Sequence, residues 1–451
     1  MIGLAVRSLR FRATAFTATF VSIVLGTALM GSFATLLETA SGPVSGNDEE
    51  TLITMGAVVG SWGTMIVLFS LASTLSVAVR QRDVEIALLR TIGATPRQTR
   101  RMIRAETVAV AVAGSALGAA IGWLGGRALL AMLRHADMVA GSVEYAGGPA
   151  SLATTAVVIV LVSSAAAGVA GRRATSGPAT MALADSSSGT QRLRWWRVLG
   201  AVVLIGYGLA MAVITITVTA DSDDPYDAMA SSGSSSILVG VGLALLAPVL
   251  LRWLSASLRP FVGSTSVAGH LAAFNTSRRA HLLGAVLGPV IVFTASTIGI
   301  LMLVGVDGRT MSGPVANDFK SINLLNNVVV GMISVFAAIM VVNAFAAVVS
   351  QRRVELARLR LLGATPEQVR GSVVAEAGIV AGIGVGLGFL AALATVVPFA
   401  LARDEGVIPD GQLWLPPLLA AAAVAITLGA AASAVRRATA EPPLALAGGT
   451  E

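Results

Sequence analysis

Few side chains in this 451-residue chain could do chemistry, and their types and spacing exclude most of it. There is no cysteine, so disulfides, thiolate metal sites and thiol nucleophiles are out. The three histidines, His135, His270 and His281, are too scattered to form a local metal motif. The 31 basic residues include one lysine, Lys320, and a phosphate-cradling P-loop needs Gly-Lys-Ser/Thr. That lysine stands between Phe319 and Ser321, so ATP is not bound by that route.

The charged side chains that remain concentrate in a segment that occurs twice. Residues 81–106, QRDVEIALLRTIGATPRQTRRMIRAE, align without gaps to residues 351–376, QRRVELARLRLLGATPEQVRGSVVAE, with 15 of 26 positions identical at an offset of 270. Such self-similarity marks a duplicated unit. Glu85 with Arg82 and Arg90, and Glu355 with Arg352 and Arg360, stand at helical spacing for ion pairs or for contact with a partner. Gly93 then stops the helix by supplying a left-handed residue. Thr95 caps the next helix, Pro96 suits its first turn, and Gln98 completes a capping box. Gly363, Thr365, Pro366 and Gln368 repeat the device. The expectation is a helix, a sharp break, a short helix and then the next span, with Glu106 and Glu376 at the start of that span at the inner boundary, complementing a helix N-terminus. Reversing the chain would not by itself require Val84, Glu85, Leu89 and Arg90 in both copies. We therefore read each elbow as a docking knuckle, and the pair as suited to a twofold partner.

The elements that position these knuckles are membrane spans. Hydrophobic residues make up 55% of the chain and charged residues 12%, where a soluble domain is about a quarter charged. Ten charge-free runs reach the roughly 20 residues that cross a bilayer: 13–37, 51–79, 107–126, 145–171, 198–220, 228–251, 280–306, 321–351, 377–402 and 411–435. An eleventh, 260–277, is read as interfacial. With the N-terminus inside, 26 arginines fall on the cytoplasmic side and only Arg127, Arg134, Arg309, Lys320 and Arg403 outside, as the positive-inside rule asks. Both termini are then cytoplasmic. The basic balance is thus a topology signal, and no basic stretch carries the interleaved aromatics of a nucleic-acid platform.

Arg172-Arg173-Ala174-Thr175 after the fourth span recurs as Arg436-Arg437-Ala438-Thr439 after the tenth, so each repeat holds four spans. The expected fold is all-α and polytopic. Two parallel four-helix repeats, 1–180 and 264–451, are joined by a linker and two-span insert, 181–263. Gly114, Gly118, Gly122 and Gly126 recur every fourth residue in span three, with Gly384 and Gly388 matching in span nine. That spacing lets another backbone approach closely, as a static contact or as one along which the span slides.

The repeated R-x-V-E-[IL]-A-x-L-R-x-[IL]-G-A-T-P-x-Q-x-R segment, leading twice into an acidic residue, and the R-R-A-T ends resemble the FtsX-like (MacB-type) ABC transporter permeases. The resemblance implies that each segment is a coupling element seated on a separate ATPase subunit, two per chain, which binds the ATP and Mg. No cofactor is expected in this chain, and it is not expected to be an enzyme. Carried over by position, the coupling residues would be Glu85, Arg90, Gly93, Ala94, Thr95, Pro96, Gln98 and Arg100, and Glu355, Arg360, Gly363, Ala364, Thr365, Pro366, Gln368 and Arg370. The location implied is a bacterial plasma membrane, and the activity is export or extraction of an amphipathic peptide, drug or lipid. The alternative is a non-transporting signalling subunit driven by the same kind of ATPase. A secondary transporter is disfavoured, because none of the ten runs contains Asp, Glu, Lys or Arg. Unlike many members of the resembling family, the chain leaves only short outer loops, about 38–50 and 307–320.

Overall fold

The computed structural model describes residues 13–44, 46–60, 82–135, 138–175, 195–220, 222, 227–262, 267–310, 316–409 and 411–440, with isolated positions between 64 and 79. Among the described residues every regular element is a helix. A backbone in hydrocarbon must satisfy its own polar groups, which a helix does within one segment. The protein is an all-α polytopic membrane protein, and eight of its described helical segments, one of them the adjoining helices over Asp227–Leu245, are long and apolar enough to cross a bilayer. Of the two expected spans not among the eight, 51–79 lies largely outside the described residues. The other, 321–351, falls on a helix whose described apolar part is Ala338–Gln351.

The chain divides into two compact units, 1–188 with 317–332, and 189–316 with 333–451. In the first, α1 (Ala13–Ala40) is followed by α2 (Asn47–Ile53), a π-helical turn (Thr54–Val59), α3 (Asp83–Thr91), α4 (Pro96–His135) and α5 (Pro149–Ala174). Helix α1 lies along α4, and both pack on α5. Small residues permit this approach. A Cβ added at Gly118 would meet the Val24 carbonyl oxygen at 2.6 Å, and one at Gly122 the Ala28 carbonyl oxygen at 2.9 Å. Gly114 faces Ile23 and Gly126 faces Thr35, so the glycine face of α4 runs directly against α1.

The second unit begins with α6 (Trp195–Thr217), α7 (Asp227–Gly233), α8 (Ser235–Leu245), α9 (Ala247–Val262) and α10 (Val267–Arg278). It continues through α11 (Ala280–Thr310), α12 (Ala316–Gln351, of which 333–351 belong here), α13 (Arg353–Leu361), α14 (Pro366–Ala402) and α15 (Leu415–Ala440). Helix α11 lies along α14, as α1 does along α4, while α6 and α8 pack on α14 and α15 covers another side of it. Gly384 faces Val290, and Gly388 faces Thr294 and the Ile291 carbonyl oxygen. These partners stand 267 residues after Ile23, Thr27 and Val24, so the first spans of the two units are equivalent at an offset three residues shorter than that of the elbows. Further along α14, the positions matching Gly122 and Gly126 are Ala392 and Val396, both buried. Nearby, Ser232 of α7 donates to the Thr395 carbonyl at 2.9 Å, and the Ser236 N–H donates to Thr395 Oγ1 at 2.9 Å.

The expected continuous span 228–251 is interrupted. Helix α8 ends at Leu246, with φ −91° and ψ 0°, and α9 starts afresh at Ala247-Pro248, where proline suits a first turn and cannot continue the previous helix. Helix α9 buries Ala247, Leu251 and Ser255 while exposing Arg252 and Trp253, an amphipathic pattern and not an all-round apolar one.

Candidate functional site

Each elbow is closed by the same backbone hydrogen bonds. The Ala94 N–H donates to the Leu89 carbonyl at 2.9 Å and the Gly93 N–H to the Arg90 carbonyl at 3.2 Å; Ala364 to Leu359 and Gly363 to Arg360 repeat these at 3.0 and 3.1 Å. This 6→1 and 5→2 pair is a Schellman ending, which needs a left-handed residue. Gly93 and Gly363 supply it with φ +105° and +99°. The next helix is capped reciprocally. The Thr95 N–H donates to Gln98 Oε1 at 2.9 Å and the Gln98 N–H to Thr95 Oγ1 at 3.3 Å. Thr365 and Gln368 do the same at 3.0 and 3.2 Å.

Beneath each elbow sits an apolar seat. In the first unit it is Val79, Ile86, Ile103, Ala167 and Ala170; in the second, Val349, Leu356, Val369, Val373, Val435 and Ala438. The R-R-A-T ends supply a polar fastening. Arg100 Nε donates to Thr175 Oγ1 at 2.6 Å, and Arg370 Nε to Thr439 Oγ1 at 3.0 Å. Arg360 Nη1 also donates to the Thr439 carbonyl at 3.2 Å. The last span of each unit therefore holds the elbow in place.

A strut that sequence spacing did not reveal joins the two arms. The Arg82 guanidinium, at the N-cap of α3, pairs with both carboxylate oxygens of Glu106 and reaches Glu85 at 3.3 Å. In the second unit Arg352 pairs with Glu376, which also accepts from Asn275 Nδ2 at 3.0 Å. Both glutamate side chains are 1% exposed. Burial alone would disfavour the Arg82 charge, but Glu106 and Glu85 outweigh it and raise its pKa above the usual arginine value. The expectation for Glu106 and Glu376 is thereby corrected. Their helices begin at Pro96 and Pro366, so the carboxylates stand in the third turn and answer a guanidinium instead of a helix end. The other expected pairs are partly met. Arg352 lies 3.6 Å from Glu355, which also takes Arg279 at 2.5 Å. The Val84 side chain lies outside the described residues.

Glu85 and Glu355 are half-buried, as are Arg90, Arg360, Ala94, Ala364, Arg100 and Arg370, while the turn itself is open. Gly93, Thr95, Pro96 and Gln98 are exposed, and so are Gly363, Thr365, Pro366 and Gln368. The pattern of exposure over 91–100 and 361–370 is the same residue by residue. At each tip stands a large apolar side chain, Ile92 at 76% exposed and Leu362 at 84%. Identity between the copies passed these two over because one is isoleucine and the other leucine. Their equivalent positions in the motif were the available signal.

Both structural units thus end in an apolar-tipped, capped elbow strutted to the following span. The model of the family described as FtsX-like permease C-terminal matches residues 57–179 and again 327–443. The chain belongs to the FtsX-like permease family. Each match encloses one elbow and its R-R-A-T end. FtsX-like permeases are membrane components of ABC transporters and work with ABC ATPase subunits. No curated protein matches the chain.

Proposed function

We propose that this chain is the permease subunit of an ABC transporter in a bacterial plasma membrane, with both termini cytoplasmic. Each elbow seats on a separate ATPase subunit, two per chain, and those subunits bind and hydrolyse ATP with Mg. The observation that carries this reading is that one exposed knuckle is built twice with matching exposure over ten residues. A chain reversal has no need to hold an isoleucine or leucine in water at its tip, whereas a docking surface uses such an anchor.

The mechanism follows from how the elbow is tied. A push on the tip at Ile92 or Leu362 is resisted by the Schellman turn, the capping box and the buried arginine–glutamate strut, so the elbow moves as one piece with α4 or α14. Those helices contact α1 and α11 through glycine faces, where the backbones approach closely. Within each unit the paired helices change their crossing along these faces as ATP acts on the two elbows, and an amphipathic peptide, drug or lipid is exported or extracted. The short α1–α2 connection, residues 41–46, favours a substrate handled at the membrane over one handed to an outer domain. The test is mild-detergent purification of the tagged protein from its own host, with bound proteins identified by mass. An ABC ATPase in the eluate is expected. Its absence from folded, membrane-extracted protein would overturn the reading.

A further inference from the structure

The two elbows share a backbone but not a surface. On the first turns of α4, Arg97, Arg101 and Arg104 are all exposed, and their i, i+4, i+7 spacing places them along one helix face. The equivalent positions at the start of α14 are Glu367, Gly371 and Val374. Glu367 and Gly371 are exposed there, so the basic stripe of one elbow is replaced by an acidic and neutral one in the other. The tips differ too. Ile92 is preceded by Thr91 in the first elbow, whereas Leu361 and Leu362 stand together in the second at 49% and 84% exposed. On the descending helices the order reverses, with Leu88 exposed in the first elbow and Arg358 in the second.

Resting on the reading that the elbows seat on ATPase subunits, we infer that the two seats are not equivalent. The first elbow is held by charge against an acidic surface on its ATPase subunit, through Arg97 and Arg101, with the Arg104 guanidinium beside them against Gly168 of α5. The second is held by apolar contact through Leu361 and Leu362, with Glu367 excluding the same acidic surface from the same register. Identical residues set the turn and cap of both elbows, and among the exposed positions the copies differ at 88, 91, 92, 97, 101 and 104 and their counterparts, where a partner is read. Exposed charges attract over a distance that shrinks as salt rises, whereas apolar burial is not weakened in that way. The two ATPase subunits therefore leave the permease at different ionic strengths.

The test is a salt series on the intact complex purified from its host, counting the co-purified ATPase per permease chain by native mass measurement. From about 0.05 M to about 0.5 M salt, over which the screening length falls severalfold, wild type is expected to go from two ATPase subunits to one. An Arg97→Glu/Arg101→Gln variant should hold one at both salts. Leu362→Ser should leave none at high salt. All these positions are exposed, so folding is not at stake, and an unchanged melting temperature verifies that. Loss of both subunits together, retention of both throughout, or indifference to the arginine variants would overturn the inference; in the last case the stripe faces lipid headgroups instead. No ATPase at any salt would instead sink the functional reading on which it rests.

Discussion

Replacing a single hydrogen by a methyl group at Gly118 separates the packing argument from any general tolerance of α4 to alanine. The added Cβ would lie 2.6 Å from the Val24 carbonyl oxygen and 2.7 Å from Thr27 Cβ, where ordinary contact begins at 3.4 Å. One neighbour is backbone, so α1 and α4 must part by about 0.8 Å at that level, and a gap of about 0.5–1 Å forfeits a quarter to a half of each contact well. Overpacking of this kind costs about 1–3 kcal/mol, and alanine in place of glycine in a helix returns about 0.5–1 kcal/mol. The balance is a loss of up to about 2.5 kcal/mol. Gly388 is the matching site in the second unit, with the Ile291 carbonyl oxygen at 2.9 Å and Thr294 Cβ at 2.5 Å. Gly382, on the same helix as Gly388, has nothing within 4 Å, so alanine there brings only the helix-propensity gain. Thermal melts of the three variants in one detergent should rank Gly118→Ala and Gly388→Ala below wild type and Gly382→Ala at or above it. Equal melting temperatures, or the reverse order, would refute the claim that the glycine faces set the helix spacing.

Three further outcomes follow from the same structure. Arg82→Ala strands the buried Glu106 carboxylate and should destabilise the protein by about 3–5 kcal/mol. Arg309→Ala breaks a two-bond pair with Glu405 in which the arginine is 30% and the glutamate 11% exposed, and should cost less than Arg82→Ala because water still reaches the pair; the same melts compare them. Gly93→Ala and Gly363→Ala put a side chain at φ +105° and +99° with open space around it. Local strain of about 1–2 kcal/mol should reduce ATPase co-purification without reducing the amount of protein inserted, both read on one immunoblot. Ile92→Asp and Leu362→Asp, at positions 76% and 84% exposed, should leave the melting temperature unchanged while weakening ATPase capture.

The helical class, most spans and the elbow were readable from the sequence because each rests on local chemistry. Charge-free length reports a span, and Gly-Ala-Thr-Pro followed by Gln98 or Gln368 dictates a helix end and a helix start within six residues. What escaped was non-local. The strut joins residues 24 apart, beyond the reach of i, i+3 and i, i+4 reasoning, and Glu106 was misplaced because a helix begins at its cap and not where charges cease. The break at Leu246 was hidden because Ala247-Pro248 lies inside an uncharged run. The equivalence of the first spans was obscured by the three-residue change of offset and by divergence, and became plain only when Gly118 and Gly388 were seen to meet Thr27 and Thr294. Exposure at Ile92 and Leu362 was likewise a fact of the fold: their equivalent places in the two copies marked the positions, but not which apolar side chains of the segment would stand in the open.

On the proposed function, the elbows seat the ATPase as docking knuckles. The most direct test places a photo-crosslinking residue at Ile92, at Leu362 or at Ile408, the last an equally open apolar position, 70% exposed, in the loop between α14 and α15 at the far end of α14 from its elbow. After irradiation of intact cells, the adducts are identified by mass. An ABC ATPase joined to the chain from positions 92 and 362, and none from 408, is expected. Capture from 408 alone, or no ATPase from either elbow in cells that contain the folded protein, would contradict the proposed function.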